Sequence, residues 1–231
     1  MSSIVSKEKV EEPRRIPFLH RDFEKASIKE KVALDPLLPV SKDLADSAAR
    51  CFWSAENEGK RGKKVELVYL WTGNGNIDLT MQVEEHSTFV KPVSYADVMP
   101  SVTVRSREGN ISVTLEDSPE TSLPIDFEID AADGDVFLYI PRNTNSMIKI
   151  QTPGAVVFSD KLQSDTESPV ENDNERRYFL GEWEQPKNFL FMVRAPAHGT
   201  VFLQYEGERA PMKKLMAARL RRLFRSLLRG E

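Results

Sequence analysis

A chain of 231 residues, 40% hydrophobic and 29% charged, is long enough for one large domain or two small ones and has the ordinary composition of a globular protein. Its net charge of −4 gives no overall reason to expect a nucleic acid partner, and a single cysteine, Cys51, excludes a disulfide within the chain. No run nears the roughly 18 consecutive apolar residues of a membrane span, and the opening MSSIVSKEKVEEPRR lacks the apolar centre of an export signal, so a reduced, cytoplasmic setting is the expectation.

Residues 1–15 mix Ser, Lys, Glu, Pro and Arg and read as a disordered tail. From Ile16 the chain alternates loosely, with Ile28, Val32 and Leu34 at strand positions, and Asp35-Pro36 reads as a turn. Ser41 to Phe52 reads as a short helix capped by Ser41, with Leu44, Ala45, Ala48 and Ala49 on one face. Cys51, beside Phe52 and Trp53, is expected to pack rather than react. Residues 54–64 read as a charged loop.

A repeat follows. Gly75, Gly109, Gly134, Gly154 and Gly199 each stand two residues before an Ile or Val that opens an alternating run: Ile77/Leu79/Met81, Ile111/Val113/Leu115, Val136/Leu138/Ile140, Val156/Phe158 and Val201/Leu203/Tyr205. Before each glycine runs another alternating segment: Leu67/Tyr69/Trp71, Val102/Val104, Ile125/Phe127/Ile129, Ile148/Ile150 and Phe189/Phe191/Val193. The unit is strand, tight glycine turn, strand, with the glycine expected to supply a positive φ. Alternation at period two buries one strand face and leaves the other wetter. The glycines are spaced by 34, 25, 20 and 45 residues, too irregular for a propeller, so variable loops between constant strand pairs suit stacked β-units. The insertion between Phe158 and Phe189 contains SDTESPVENDNERR and reads as polar, exposed and mobile.

Three groups of polar residues are candidates for chemistry. Asp126, Glu128 and Asp130 share one strand face but are spread over about 13 Å, too far to converge on a calcium ion unaided, so a solvated acidic face is expected. Asn74, Asn76, Asn110, Asp133 and Asp135 gather at the repeated turns, where stacking could make a polar row; backbone capping is the simpler account of them. His20, His86 and His198 lie outside metal-ligand spacing of one another or of Cys51, and no nucleophile elbow, phosphate loop or His-Glu-x-x-His occurs. The chain reads as a non-enzyme with no cofactor or metal. In the strand around Val136, Phe137 and Tyr139 face opposite Val136, Leu138 and Ile140, so this strand is expected to be covered on both sides.

The strongest local signal comes last. After Pro211, Met212, Leu215, Met216, Leu220, Leu223, Phe224, Leu227 and Leu228 recur at helical spacing as a broad apolar stripe. Lys213, Lys214, Arg219, Arg221, Arg222, Arg225 and Arg229 accompany them with no intervening acid. Without these seven, 25 bases face 36 acids in the rest of the chain, a balance of −11. The segment suits packing on its own acidic β-domain, an anionic membrane surface, or docking into a protein partner.

The repeated Gly-x-Ile/Val turns resemble an uncharacterised fungal domain family, found mainly in basidiomycetes. Ser27-Ile28-Lys29 with Ala33-Leu34-Asp35-Pro36 is similar to its opening strand and turn. Arg177-Tyr178-Phe179-Leu180-Gly181-Glu182-Trp183 resembles its late aromatic element. The resemblance covers roughly residues 17–208 and implies no catalytic residues; more distantly the pattern resembles putative-adhesin and bactofilin-type β-solenoids. The first unit departs from it, having Lys25-Ala26 where a glycine is expected.

The expectation is a mainly β protein of solenoid-like or stacked strand-turn-strand repeats, with a β-sandwich as the alternative. A tail over 1–15, a β-repeat domain over 16–208 and a basic amphipathic helix over 209–231 make up the chain. The expected role is a non-enzymatic intracellular scaffold or interaction module, peripheral to a membrane through its last helix and open to self-association. The alternative is a carbohydrate- or small-ligand-binding β module along the turns.

Overall fold

The structure, a computed structural model, describes residues 14–15, 19–34, 63–84, 98–116, 124–172, 175–181 and 189–208. It is mainly β. The strands are β1 (Arg14–Arg15), β2 (Leu19–Phe23), β3 (Ile28–Leu34), β4 (Lys63–Asn74), β5 (Ile77–Val83), β6 (Val98–Glu108), β7 (Ile111–Leu115), β8 (Ile125–Ala131), β9 (Val136–Ile140), β10 (Ser146–Gln151), β11 (Ala155–Phe158), β12 (Thr166–Asn172), β13 (Glu175–Leu180), β14 (Phe189–Arg194) and β15 (Thr200–Tyr205). A short helix, α1 (Asp160–Asp165), follows β11.

Each glycine turn carries the chain from one sheet to the other instead of folding it back as a hairpin. One sheet has the order β1-β3-β5-β7-β9-β15-β11 and the other β12-β13-β10-β14-β8-β6-β4-β2. Neighbours pair in parallel throughout the first sheet and from β2 to β10 in the second; β13 runs antiparallel to both of its neighbours, β10 and β12. Ile77 aligns with Ile111, Ile111 with Val136 and Val136 with Val201, so the apolar residue after each turn stacks on its counterpart. The inward rows Ile77/Leu79/Met81, Ile111/Val113/Leu115 and Val136/Leu138/Ile140 face Val102/Val104 and Ile125/Phe127/Ile129, and all are essentially inaccessible. Burying each such side chain contributes about 1.5–3 kcal/mol.

Spatial order departs from chain order where β13 lies between β10 and β12, and again in the last unit. After β9 the chain enters β10 and β11, which leave a gap of one strand in each sheet. The last unit, β14 and β15, fills both gaps: β14 pairs with β8 and β10, and β15 with β9 and β11. Phe191 thereby stacks on Phe127 with ring centroids 4.8 Å apart.

Both ends of the core carry caps. At the β2–β3 end, Arg21 aligns with Leu70 and Glu30 with Leu79, so a charged pair takes two inward positions, with Arg21 Nε donating to Glu30 Oε1 at 2.9 Å. Partly exposed, this pair adds little stability, and beyond it only the two-residue β1 pairs with β3 among the described residues. At the other end the Ser159 hydroxyl accepts from the Leu162 amide at 3.2 Å and starts α1, which buries Leu162 completely. The insertion expected to be exposed and mobile is therefore partly structural: residues 160–172 form α1 and β12, because its one well-placed leucine has an apolar site to fill.

The run Leu67/Tyr69/Trp71 does not share one inward face. A register shift between Glu66 and Val68 lets Leu67 and Val68 both turn inward, and beyond this bulge Leu70 is buried while Tyr69 and Trp71 face out. β1 lies inside the segment read as a tail. The short helix at Ser41–Phe52, Cys51, His86 and the amphipathic segment 209–231 lie outside the described residues.

Candidate functional site

The five turn glycines form one column. A β-carbon on Gly75 would lie 2.6 Å from the Ala26 carbonyl oxygen, on Gly109 2.2 Å from that of Gly75, on Gly134 2.1 Å from that of Gly109, on Gly199 2.4 Å from that of Gly134, and on Gly154 2.2 Å from that of Gly199. The column follows sheet order, not chain order. Backbone bonds run along it: the Gly75 amide donates to Glu108 O and the Gly109 amide to Asp133 O, both at 2.8 Å. Only Gly109 (φ 141°) and Gly134 (φ 157°) have positive φ among the five. The expectation of a positive φ at every turn is thus corrected for Gly75, Gly154 and Gly199; what the corner requires throughout is the missing β-carbon. Ala26 replaces glycine in the first unit because it sits at the end of the column.

Beside the column runs a ladder made by the residues that follow Ala26, Gly75, Gly109, Gly134 and Gly199. Ser27 Oγ accepts from the Asn76 amide at 3.1 Å, Asn76 Oδ1 from the Asn110 amide, Asn110 Oδ1 from the Asp135 amide, and Asp135 Oδ1 from the Thr200 amide, the last three at 2.9 Å. Each side chain supplies the acceptor its neighbouring turn lacks. On the other side of the corner, Thr72 Oγ1 donates to Ala26 O at 2.8 Å and Ser106 Oγ to Gly75 O at 3.0 Å. The polar row foreseen for the turns therefore exists, with Asn76, Asn110 and Asp135 in it. Asn74 is exposed outside it, and Asp133 meets His198 Nε2 at 2.5 Å.

The outward face of the eight-stranded sheet carries the densest chemistry. Thr103 aligns with Glu128 and Arg105 with Asp130; on the other flank Met192 aligns with Glu128 and Arg194 with Asp130. Glu128 receives Arg194 Nη1 at 2.6 Å and Arg105 Nη2 at 3.0 Å, while Arg194 also stands 4.0 Å from Asp130. Burial pushes the Glu128 carboxyl upward, but the bonds and charge of Arg194 and Arg105 outweigh it and the pKa falls below its ordinary value. The acidic face expected to be simply solvated is instead laced by arginines from both flanking strands. Glu66, on β4, has its pKa raised, chiefly by burial, against a bond from Thr103. His20 stacks on Tyr69 with centroids 4.8 Å apart and planes 12° apart. At the β10–β13 border Glu175 takes Lys149 at 2.8 Å and Arg177 at 2.7 Å, and these bonds, Lys149 first, lower its pKa to about 2.

Among the described residues no group of three His, Cys, Asp or Glu side chains is placed to hold a metal ion, and no helix is long and apolar enough to cross a membrane. Lys213, Lys214, Arg219, Arg221, Arg222, Arg225 and Arg229 lie outside the described residues. Arg105 and Arg194 lie 23 and 66 residues from Glu128, so spacing along the chain does not mark them as its partners. Ser27 and Thr200 join the ladder unannounced by residue type, although each occupies the position after a turn residue that Asn76 and Asn110 mark.

A family model described as a domain of unknown function (DUF7330) matches residues 18–208. No curated protein and no solved structure matches the chain.

Proposed function

Because the chain belongs to the DUF7330 family, whose domain of unknown function spans residues 18–208, we propose its role from its surfaces: a non-enzymatic, cytoplasmic scaffold or interaction module. Its β-repeat body is read as a solenoid-like coil in which each glycine turn closes one unit and opens the next. Its basic C-terminal segment, read as an amphipathic helix, meets an anionic partner.

The observation that carries this reading is the interlocked outer surface. Glu128 is held between Arg105 and Arg194, and the oxygens of Asn76, Asn110 and Asp135 accept backbone amides. Groups fixed in this way present a regular, rigid surface and are not free to turn toward one substrate. The same commitment of the Asn76 and Asn110 oxygens weakens the alternative of a sugar site along the turns.

The partner reading rests on charge. Seven bases stand between Met212 and Arg229 with no acid among them. Each contributes roughly 1 kcal/mol near an anionic bilayer. Co-sedimentation of the full chain with vesicles of phosphatidylcholine, with and without phosphatidylserine, tests it. Binding should require phosphatidylserine, weaken with salt, and disappear when Arg219, Arg221, Arg222 and Arg225 are replaced by Gln. Equal sedimentation with both vesicle types, or no effect of the substitutions, would contradict a charge-driven membrane contact.

A further inference from the structure

The unit of β14 and β15 is gripped from both walls of its slot by matched contacts. Arg194 Nη1 donates to Glu128 Oε1 on one wall at 2.6 Å, and Arg194 Nε to Gln151 Oε1 on the other at 3.2 Å. The Thr200 amide donates to Asp135 Oδ1 at 2.9 Å, and the Pro196 carbonyl oxygen accepts from Thr152 Oγ1 at 3.3 Å. Phe191 stacks on Phe127 and Phe202 on Phe137, each pair with centroids 4.8 Å apart. β15 is the last strand among the described residues, so withdrawing the unit draws no other described strand through the slot.

The walls that the unit separates also fit each other. Phe127 and Ile148 both align with Phe191, and Ile129 and Ile150 with Val193. Val136 and Val156 both align with Val201, and Leu138 and Phe158 with Leu203. Gly134 and Gly154 both lie against Gly199. With the unit out, β8 would meet β10 and β9 would meet β11 glycine on glycine, with every apolar row still facing inward. Glu128 would then stand beside Lys149, an opposite charge. An emptied slot therefore closes on itself. The released unit, in contrast, bares Phe189, Phe191, Val193, Val201, Leu203 and Tyr205, all buried when it is seated.

We propose that this slot is a joint between copies of the chain: the 189–205 unit of a second copy seats in it in place of the chain's own, and two copies exchange units reciprocally. A second copy brings the features that the slot selects. Gly199 passes the turn column, where a β-carbon would meet the Gly134 carbonyl oxygen at 2.4 Å. Thr200 supplies the amide for Asp135, and Arg194 the donors for Glu128 and Gln151. An exchanged joint repeats the contacts of an unexchanged one, so little is lost in contacts and the extent of exchange follows chain concentration. The inference gives the scaffold reading a partner and rests on the packing of the β-body, not on the basic segment, so a failure of vesicle binding leaves it standing.

The test uses the full chain with Cys51→Ser, Asp133→Cys and His198→Cys. This puts one thiol on the slot and one on the unit, at exposed turn positions whose side chains touch across the joint. The chain is unfolded in urea and refolded at roughly 1 µM and at roughly 1 mM; light scattering should find at least about tenfold more dimer at the higher concentration, as a bimolecular exchange requires. The chain without substitutions should give the same dimer. A short bifunctional maleimide added to the dimer should join the two chains covalently on a denaturing gel. Added to the monomer before unfolding, it should tie each unit to its own slot and abolish the dimer on refolding at the higher concentration. No dimer at that concentration would overturn the proposal. So would a dimer whose chains run singly on the gel after linking, which assigns the contact to another surface.

Discussion

A β-carbon on Gly134 would lie 2.1 Å from the carbonyl oxygen of Gly109. No real side chain tolerates that distance, so the two turns stack only because both are bare backbone. The same relation links every turn from Ala26 to Gly154, and it sets the register of both sheets at once. An alternating strand slipped by one residue would turn its apolar row outward; a turn with no room to shift blocks that slip.

The ladder beside the glycines should be worth about 1 kcal/mol per rung. Asn110→Ala removes the acceptor of the Asp135 amide, and Asp135 is nearly buried. Urea denaturation of Asn110→Ala should show a loss of about 1–2 kcal/mol, with faster hydrogen exchange at the Asp135 amide. Asn110→Asp keeps the acceptor and should recover most of the loss.

The two carboxylates on the eight-stranded sheet should respond to pH with opposite signs. The raised pKa of Glu66 means the folded state holds that proton more tightly, so its contribution falls as pH rises through and above 4.5. Glu66→Gln should therefore stabilise the protein near pH 7 and make no difference in acid. Glu128 has a lowered pKa, so its contribution is present above 4.5 and fades as pH falls below it. Glu128→Gln should destabilise near pH 7, by less than about 1 kcal/mol for a partly exposed group, and the difference should shrink in acid. Thermal melts across that range read both.

Phe191 tests the inserted unit. It stacks on Phe127 and, through β14, ties β8 to β10. Phe191→Ala should cost about 3–5 kcal/mol, the usual range for a buried phenylalanine. Because β14 joins both halves of the sheet, the melt should remain one transition at lower temperature. Two separated transitions would mean that the units before and after the gap fold independently.

The inward rows were legible because Ile77/Leu79/Met81 and its counterparts alternate strictly and each follows a glycine. The outward face of β4 was not, since one bulged residue at Leu67 reverses the phase for Tyr69 and Trp71. Nothing along the chain marks that the unit of Gly199 lies between those of Gly134 and Gly154; parallel pairing such as Val193 with Ile129 joins residues far apart in sequence. The acids at Asp126, Glu128 and Asp130 were visible, but their arginines arrive from other strands. Leu162 was hidden in a polar stretch where a single apolar residue makes no period.

Gly199 and Gly207 separate the two explanations a turn glycine can have. Gly199 lacks a positive φ, but a β-carbon there would meet the Gly134 carbonyl oxygen at 2.4 Å; Gly207 has φ 73° and open space around it. The measurement is the unfolding free energy of Gly199→Ala beside Gly207→Ala. Close turn stacking predicts a loss of about 3 kcal/mol or more for Gly199→Ala, the upper range of overpacking, and only about 1–2 kcal/mol of backbone strain for Gly207→Ala. A Gly199→Ala protein as stable as the original, with Gly207→Ala the more damaged of the two, would contradict it.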